Sequence, residues 1–201
     1  MKYIFLDCEM GGIELKYSLL TAYFIVTDHE FKKLGDLYLY VKPDDGDYIV
    51  SGQGMGVNKI DIYQHDCKAI TYKNAGKLLY NFIKEHSNDG KDKLTPGGHA
   101  VKGDIEHVID KLISRGTWEN FCSYRMLDTS MIAQFLKSVG KLPEEVSGSI
   151  ESLAKHFGII KENWHNEMSD EEFVTNDLHD ARVDTLVTIE VLKKLIGLVK
   201  N

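Results

Sequence analysis

The chain has little of what marks a secreted, membrane-spanning or overtly basic protein. Its 201 residues hold three cysteines, Cys8, Cys67 and Cys122. That number is odd and no two of them form a Cys-x-x-Cys pair, which argues against a disulfide framework or a zinc ribbon and fits a reducing compartment. With three prolines and no Ser/Gly-rich linker there is no place to set a domain boundary, so one domain over residues 1–201 is expected. No internal repeat or low-complexity tract is visible. The longest uncharged apolar stretch, Tyr17 to Thr27, falls well short of the roughly 20 residues a membrane helix needs. Only Tyr3 to Leu6 precede Asp7, too few for the apolar region of a signal peptide, so a cytoplasmic location without membrane contact is expected. Positive charge is also scarce. Lys and Arg number 24 against 31 Asp and Glu, a formal charge of −7, whereas nucleic-acid binders usually carry a basic footprint.

What is present is ordinary for a globular protein: 43% apolar and 27% charged residues. The opening MKYIFLDCEM reads as a strand. Tyr17–Val26 and Leu34–Val41 are two more apolar, aromatic-rich runs, which predicts a three-strand antiparallel meander. Pro43–Gly56, rich in Asp and Gly, reads as a loop. Helical spacing follows. Ala75, Leu78, Leu79, Phe82 and Ile83 share one helix face, and Ile105, Val108, Ile109, Leu112 and Ile113 share another, ended by Gly116. Lys93–Gly98 reads as a short strand running into a glycine turn, and Phe121–Met126 as a further strand. Asp128 is placed to cap a helix reaching Gly140, Ser149 to cap Ile150–Phe157, and Asp180 to cap a last helix reaching about Val199. Strands first, then helices alternating with strands, predict an α/β fold with a mixed sheet and helices on its faces.

Asp7 and Glu9 are the most informative residues. On a strand, positions i and i+2 point to one face, so these two carboxylates project together while Leu6 and Cys8 turn into a core. Two carboxylates side by side on a buried strand repel each other and lose hydration; a divalent cation compensates, and Mg²⁺ or Mn²⁺ prefers oxygen ligands. An edge strand exposing a polar face is the bland alternative. Three other Asp-x-Glu pairs, at Asp28, Asp104 and Asp170, lie in a turn, at a helix start and in an acidic stretch, where carboxylates are normally solvated. Asp104 opens a helix after the Gly97–Gly98–His99 turn, where a first-turn carboxylate also suits the helix dipole. His179 and Asp184 are spaced H-x4-D. They converge only if His179 lies just before the last helix and Asp184 one turn inside it.

The order of these signals resembles the DEDDh 3′→5′ exonuclease family, which includes ribonuclease T, oligoribonucleases and proofreading exonucleases. FLDCEMGG (Phe5–Gly12) is similar to the family's D-x-E-M-T-G. GGHAVKGDIEHV (Gly97–Val108) is similar to G-H-N-A-x-F-D-x-x-F, and HDARVDTLVT (His179–Thr188) to H-x4-D-A. SYRMLDT (Ser123–Thr129) and SIESLAKHFGI (Ser149–Ile159) resemble the intervening strand and helix. The resemblance runs from about Tyr3 to Ile196. There are departures: Gly11 stands where the family often has Thr, Ala100 for Asn, Gly103 for an aromatic, and His107 for a Phe.

The resemblance implies a ribonuclease H-like fold and a metal-dependent 3′→5′ exonuclease. Asp7, Glu9, Asp104 and Asp184 would hold two Mg²⁺ or Mn²⁺ ions. Asp7 would bridge them, Glu9 and Asp184 would complete the nucleophile side, and Asp104 the leaving-group side. His179 would take the proton from water. Met10, Gly11, Gly12 and His99 would be substrate-binding residues. The substrate would be the 3′ end of single-stranded DNA or RNA, the product a nucleoside 5′-monophosphate, and a homodimer would fit the habit of relatives. Two divalent cations offset the four carboxylates, and a grip on a few terminal nucleotides needs few phosphate contacts, so the acidic balance is tolerated. Lys102 is a candidate phosphate contact and Trp164 a candidate stacking residue. The competing readings are a catalytically silent module of the same fold that binds nucleic acid or a polymerase, and a ribonuclease H-like endonuclease.

Overall fold

The structure is a computed structural model that describes residues 1–160 and 180–200. Three strands open the chain: β1 (Tyr3–Met10), β2 (Leu19–Thr27) and β3 (Lys33–Lys42). Two short helices follow, α1 (Gly52–Asn58) and α2 (Ile62–Asp66), then β4 (Ile70–Thr71) and α3 (Tyr72–His86). Next come β5 (Thr95–Gly98), α4 (Lys102–Lys111), α5 (Arg115–Phe121), β6 (Leu127–Asp128), α6 (Thr129–Ser138), α7 (Ile150–His156) and α8 (Ala181–Lys200). The six strands form one sheet in the order β4-β3-β2-β1-β5-β6. β1, β2 and β3 pair antiparallel as the expected meander; β5 joins β1 in parallel and β6 joins β5 in parallel.

Alternation along β1 decides what packs on each face. Ile4, Leu6 and Cys8 join a core with Ala75, Leu79 and Ile83 of α3, Ile105 and Val108 of α4 and Trp118 of α5. Phe5 faces the other way, with Tyr23 and Ile25 of β2 against Ala181, Ile189 and Leu192 of α8. All nine residues of β2 are buried because helices cover both faces. α6 and α7 then pack on the outer side of α8 through Leu136, Leu153, Val187 and Leu195. Each fully buried side chain of this size contributes about 1.5–3 kcal/mol, so α8 is fixed to the sheet along two apolar faces. This is a ribonuclease H-like architecture: a mixed sheet opened by an antiparallel meander, with helices on both faces. Since β1 sits inside the sheet, the edge-strand alternative for Asp7 and Glu9 is excluded.

Local expectations needed correction in three places. The Pro43–Gly56 loop ends early, because Ser51 caps α1 by accepting from the Gly54 N–H at 3.0 Å. The helix expected to end at Gly116 stops at Lys111, and Ser114 caps a separate helix, α5, that runs through Gly116. The strand expected over Phe121–Met126 is only a bridge from Cys122 to Leu94, and pairing resumes at Leu127–Asp128. Asp128 and Ser149 do cap α6 and α7. No helix among the described residues is long and apolar enough to cross a membrane.

Candidate active site

The site lies where the end of β1 meets the start of α8. Asp7 and Glu9 share the face of β1 that looks toward α8, and both are held in register by pairing with Tyr23 and Thr21 of β2. A register shift between Glu9 and Met10 ends the regular pairing there; such bulges bend a strand and re-aim its side chains. Asp184 stands in the first turn of α8. Asp180 fixes that turn: its Oδ1 accepts from the N–H groups of Arg182 (2.9 Å) and Val183 (3.2 Å). Its Oδ2 accepts from the Tyr38 hydroxyl at 2.8 Å, which ties the helix start to β3.

One carboxylate oxygen from each of Asp7, Glu9 and Asp184 lies within 4.8 Å of the others. The electrostatics follow from that crowding. Burial pushes Asp7 well above the usual carboxylate range, and Asp104, Asp184 and Glu9 push it further. Glu9 is pushed up to about 9, first by burial and then by Asp184 and Asp180. Asp104, buried in the first turn of α4, is raised to about 7 by burial, against hydrogen bonding from its own backbone and that of Cys8. It is not one of the three that crowd within 4.8 Å, yet it is the strongest single charge acting on Asp7. A partly buried group of hard oxygen donors that repel one another suits Mg²⁺ or Mn²⁺, whose charge would reverse each of these shifts.

A cavity of about 370 Å³ adjoins Glu9. Met10 and Gly12 line it from the end of β1, Tyr17 from the β1–β2 loop, and Gln53, Val57 and Asn58 from α1. α1 is locked to the end of β1: the Gly11 carbonyl accepts from the Ser51 N–H (2.7 Å) and hydroxyl (2.9 Å), and the Met10 carbonyl from Asn58 Nδ2 (2.9 Å). Gly11 leaves no room for the Thr of the resembled motif, since a Cβ there would stand 2.7 Å from the Ile49 carbonyl oxygen and 2.8 Å from a Val50 methyl. A second cavity, about 170 Å³, flanks Glu9 on the other side and is lined by Tyr38, Tyr40, Gln64 and Lys68. Sequence reading missed the α1 and β3 contributors. Tyr38 and Tyr40 sit at i and i+2 on a strand, so their shared face was legible; the α1 residues lay in an apparent loop.

The remaining expected residues fall differently. His99 is turned to the β5–β6 corner, with Nδ1 2.8 Å from the Thr129 hydroxyl, and lines neither cavity. Lys102 is exposed on the first turn of α4. His179 and Trp164 lie outside the described residues.

No family model matches the chain, and no curated protein matches it. Solved structures do. E. coli Exonuclease I in complex with a dT13 oligonucleotide superposes with a TM-score of 0.70 at 19% identity, covering 96% of this chain and 40% of that one. The zinc-bound form of an E. coli Exonuclease I–ssDNA complex gives 0.67 at 21%, covering 98% and 40%. A moderately thermophilic Exonuclease I from Methylocaldum szegediense gives 0.63 at 16%, covering 98% and 42%. The chain thus spans about two fifths of the length of these proteins, and at such identities what it shares with them is the fold.

Proposed function

We propose that this chain is a metal-dependent 3′→5′ exonuclease that removes nucleotides from single-stranded nucleic-acid ends. The observation that carries the reading is the convergence of three partly buried, mutually repelling carboxylates, Asp7 and Glu9 from the first strand and Asp184 from α8. Such a group is unfavourable unless a cation or protons neutralise it. Two Mg²⁺ or Mn²⁺ ions, when bound, would supply Lewis-acid stabilisation of the attacking and leaving oxygens of the scissile phosphate.

The chain's own residues divide the rest of the work. Asp7, at the centre of the charges, would help hold both ions, with Glu9 and Asp184 on the nucleophile side and Asp104 on the leaving-group side. His179, five residues before Asp184 in the H-x4-D motif, accepts the proton of the attacking water. The end of β1 and helix α1 wall the cavity that seats the terminal nucleotide, which leaves as a nucleoside 5′-monophosphate. Single-stranded DNA is the substrate favoured by the fold neighbours, two of which hold ssDNA or an oligothymidylate.

End-labelled single-stranded DNA, single-stranded RNA and duplex, incubated with Mg²⁺ or Mn²⁺ and with EDTA, test this reading. Stepwise loss of 3′ nucleotides that EDTA stops, and that Asp7→Asn and Asp184→Asn abolish with the fold intact, is expected. Full activity in either variant sinks it. A circular or 3′-phosphate-blocked strand that is cut would point to an endonuclease instead.

A further inference from the structure

The β1–β2 loop walls the larger cavity, yet it has almost nothing to hold it. Ile13, Glu14, Leu15 and Lys16 are four consecutive exposed residues, and Ile13 itself is 88% exposed. Their mutual contacts stay inside the loop: Tyr17 N–H to the Glu14 carbonyl at 2.9 Å, Lys16 Nζ to Glu14 at 3.0 Å, and Lys16 over the Tyr17 ring. Among the described residues, one hydrogen bond ties positions 13–16 to the rest of the protein. It runs from His107 Nε2 to the Ile13 carbonyl, 3.1 Å long and spanning 94 positions of sequence.

His107 is 1% exposed, and among the described residues its Nδ1 has no hydrogen-bond partner. An apolar ring in the same place would pack without that unfavourable orphan. Burial also holds the imidazole's pKa below its ordinary value. In the neutral ring one nitrogen carries the proton, and facing a carbonyl that nitrogen must be Nε2. The side chain therefore spends an unsatisfied acceptor to keep one donor aimed at the loop. It does so from α4, one turn after Asp104 and on the same helix face.

We infer that His107 is a positioning residue: it anchors the β1–β2 loop to α4, so that the wall of the nucleotide cavity and the Asp104 carboxylate keep a fixed relation. The inference rests on the proposed nuclease reading for its consequence in catalysis, but the anchor itself is testable without substrate.

Two variants separate hydrogen bonding from packing. His107→Phe fills the volume and loses the donor; His107→Gln retains an N–H donor near the Nε2 position. Amide hydrogen exchange of residues 12–17, measured without nucleic acid, is expected to speed up about tenfold in His107→Phe and to return near wild type in His107→Gln. With Mn²⁺ and a short oligothymidylate, His107→Phe is expected to raise KM about tenfold with kcat within about twofold, and dTMP binding measured by calorimetry should weaken in parallel. His107→Gln should recover both. Unchanged loop exchange in His107→Phe overturns the anchor, as does a loss of kcat at constant KM. If the exchange results hold and wild type degrades no nucleic acid, the anchor stands and the nuclease reading falls.

Discussion

Asp7 stands among four other carboxylates, Asp104, Asp184, Glu9 and Asp180, and its neighbours' titration sets how the metal-free protein responds to pH. Glu9 moves from an ordinary 4.5 to about 9 on folding. A carboxyl raised in this way keeps its proton in the folded state while the unfolded chain releases it. Stability therefore falls as pH rises from about 4.5 toward 9. In EDTA the melting midpoint should drop between about pH 5 and pH 8.5, and Glu9→Gln should flatten that slope. Adding Mn²⁺ should raise the midpoint most at the alkaline end, where the carboxylates are most willing to ionise. Scanning fluorimetry over a pH series with and without Mn²⁺ decides this. Ala100 offers a second check. Its φ of +53° puts a Cβ in the left-handed region, where an L side chain costs roughly 1–2 kcal/mol. Ala100→Gly should stabilise by about 1 kcal/mol, or about 2–4 °C in Tm. Its N–H bond to Asp128 at 3.0 Å survives the change.

At the scale of elements, the start of α8 is the part whose placement matters most to the site. Asp180 caps the helix and takes the Tyr38 hydroxyl as well. Asp180→Ala should cost about 1–2 kcal/mol in stability and should weaken divalent-ion binding, because Asp184 is one turn further on. Tyr38→Phe should do the second with less of the first. Thermal melts and Mn²⁺ titration of both variants separate the two effects. The elements that sequence periodicity found are those with long apolar faces, such as β1–β3, α3 and α8. The ones it missed lack such faces. α1 is GQGMGVN, a poor helix by propensity, and it exists because Ser51 caps it and because its glycine fits: a Cβ at Gly54 would run into the Gly11 carbonyl. α5 contains Gly116, which looked like a stop, but Ser114 resets the cap. In the site, alternation on β1 made the shared face of Asp7 and Glu9 legible, and the Asp180 cap fixed where Asp184 falls. The α1 wall of the cavity was not legible, since nothing local distinguishes a glycine that marks a turn from one that admits another backbone.

The sequence is acidic, although residues 59–102 carry eight lysines against five carboxylates. A protein of this balance that grips a few terminal nucleotides makes few phosphate contacts. Binding of a short oligothymidylate to the Asp7→Asn variant should weaken with salt along a log–log slope of about −2 to −3, shallower than the −6 or steeper of a many-contact binder. Fluorescence anisotropy at about 50 to 200 mM salt measures it.

The carboxylate cluster joins the seventh residue to the hundred-and-eighty-fourth, on the first strand and the last helix. During translation, a chain whose α8 is still inside the ribosomal exit tunnel has two of those three acids in place and not the third. The trio is thus a product of tertiary folding: any property that depends on it waits until α8 has been made and has packed against the sheet, and no fragment ending before that helix can assemble it.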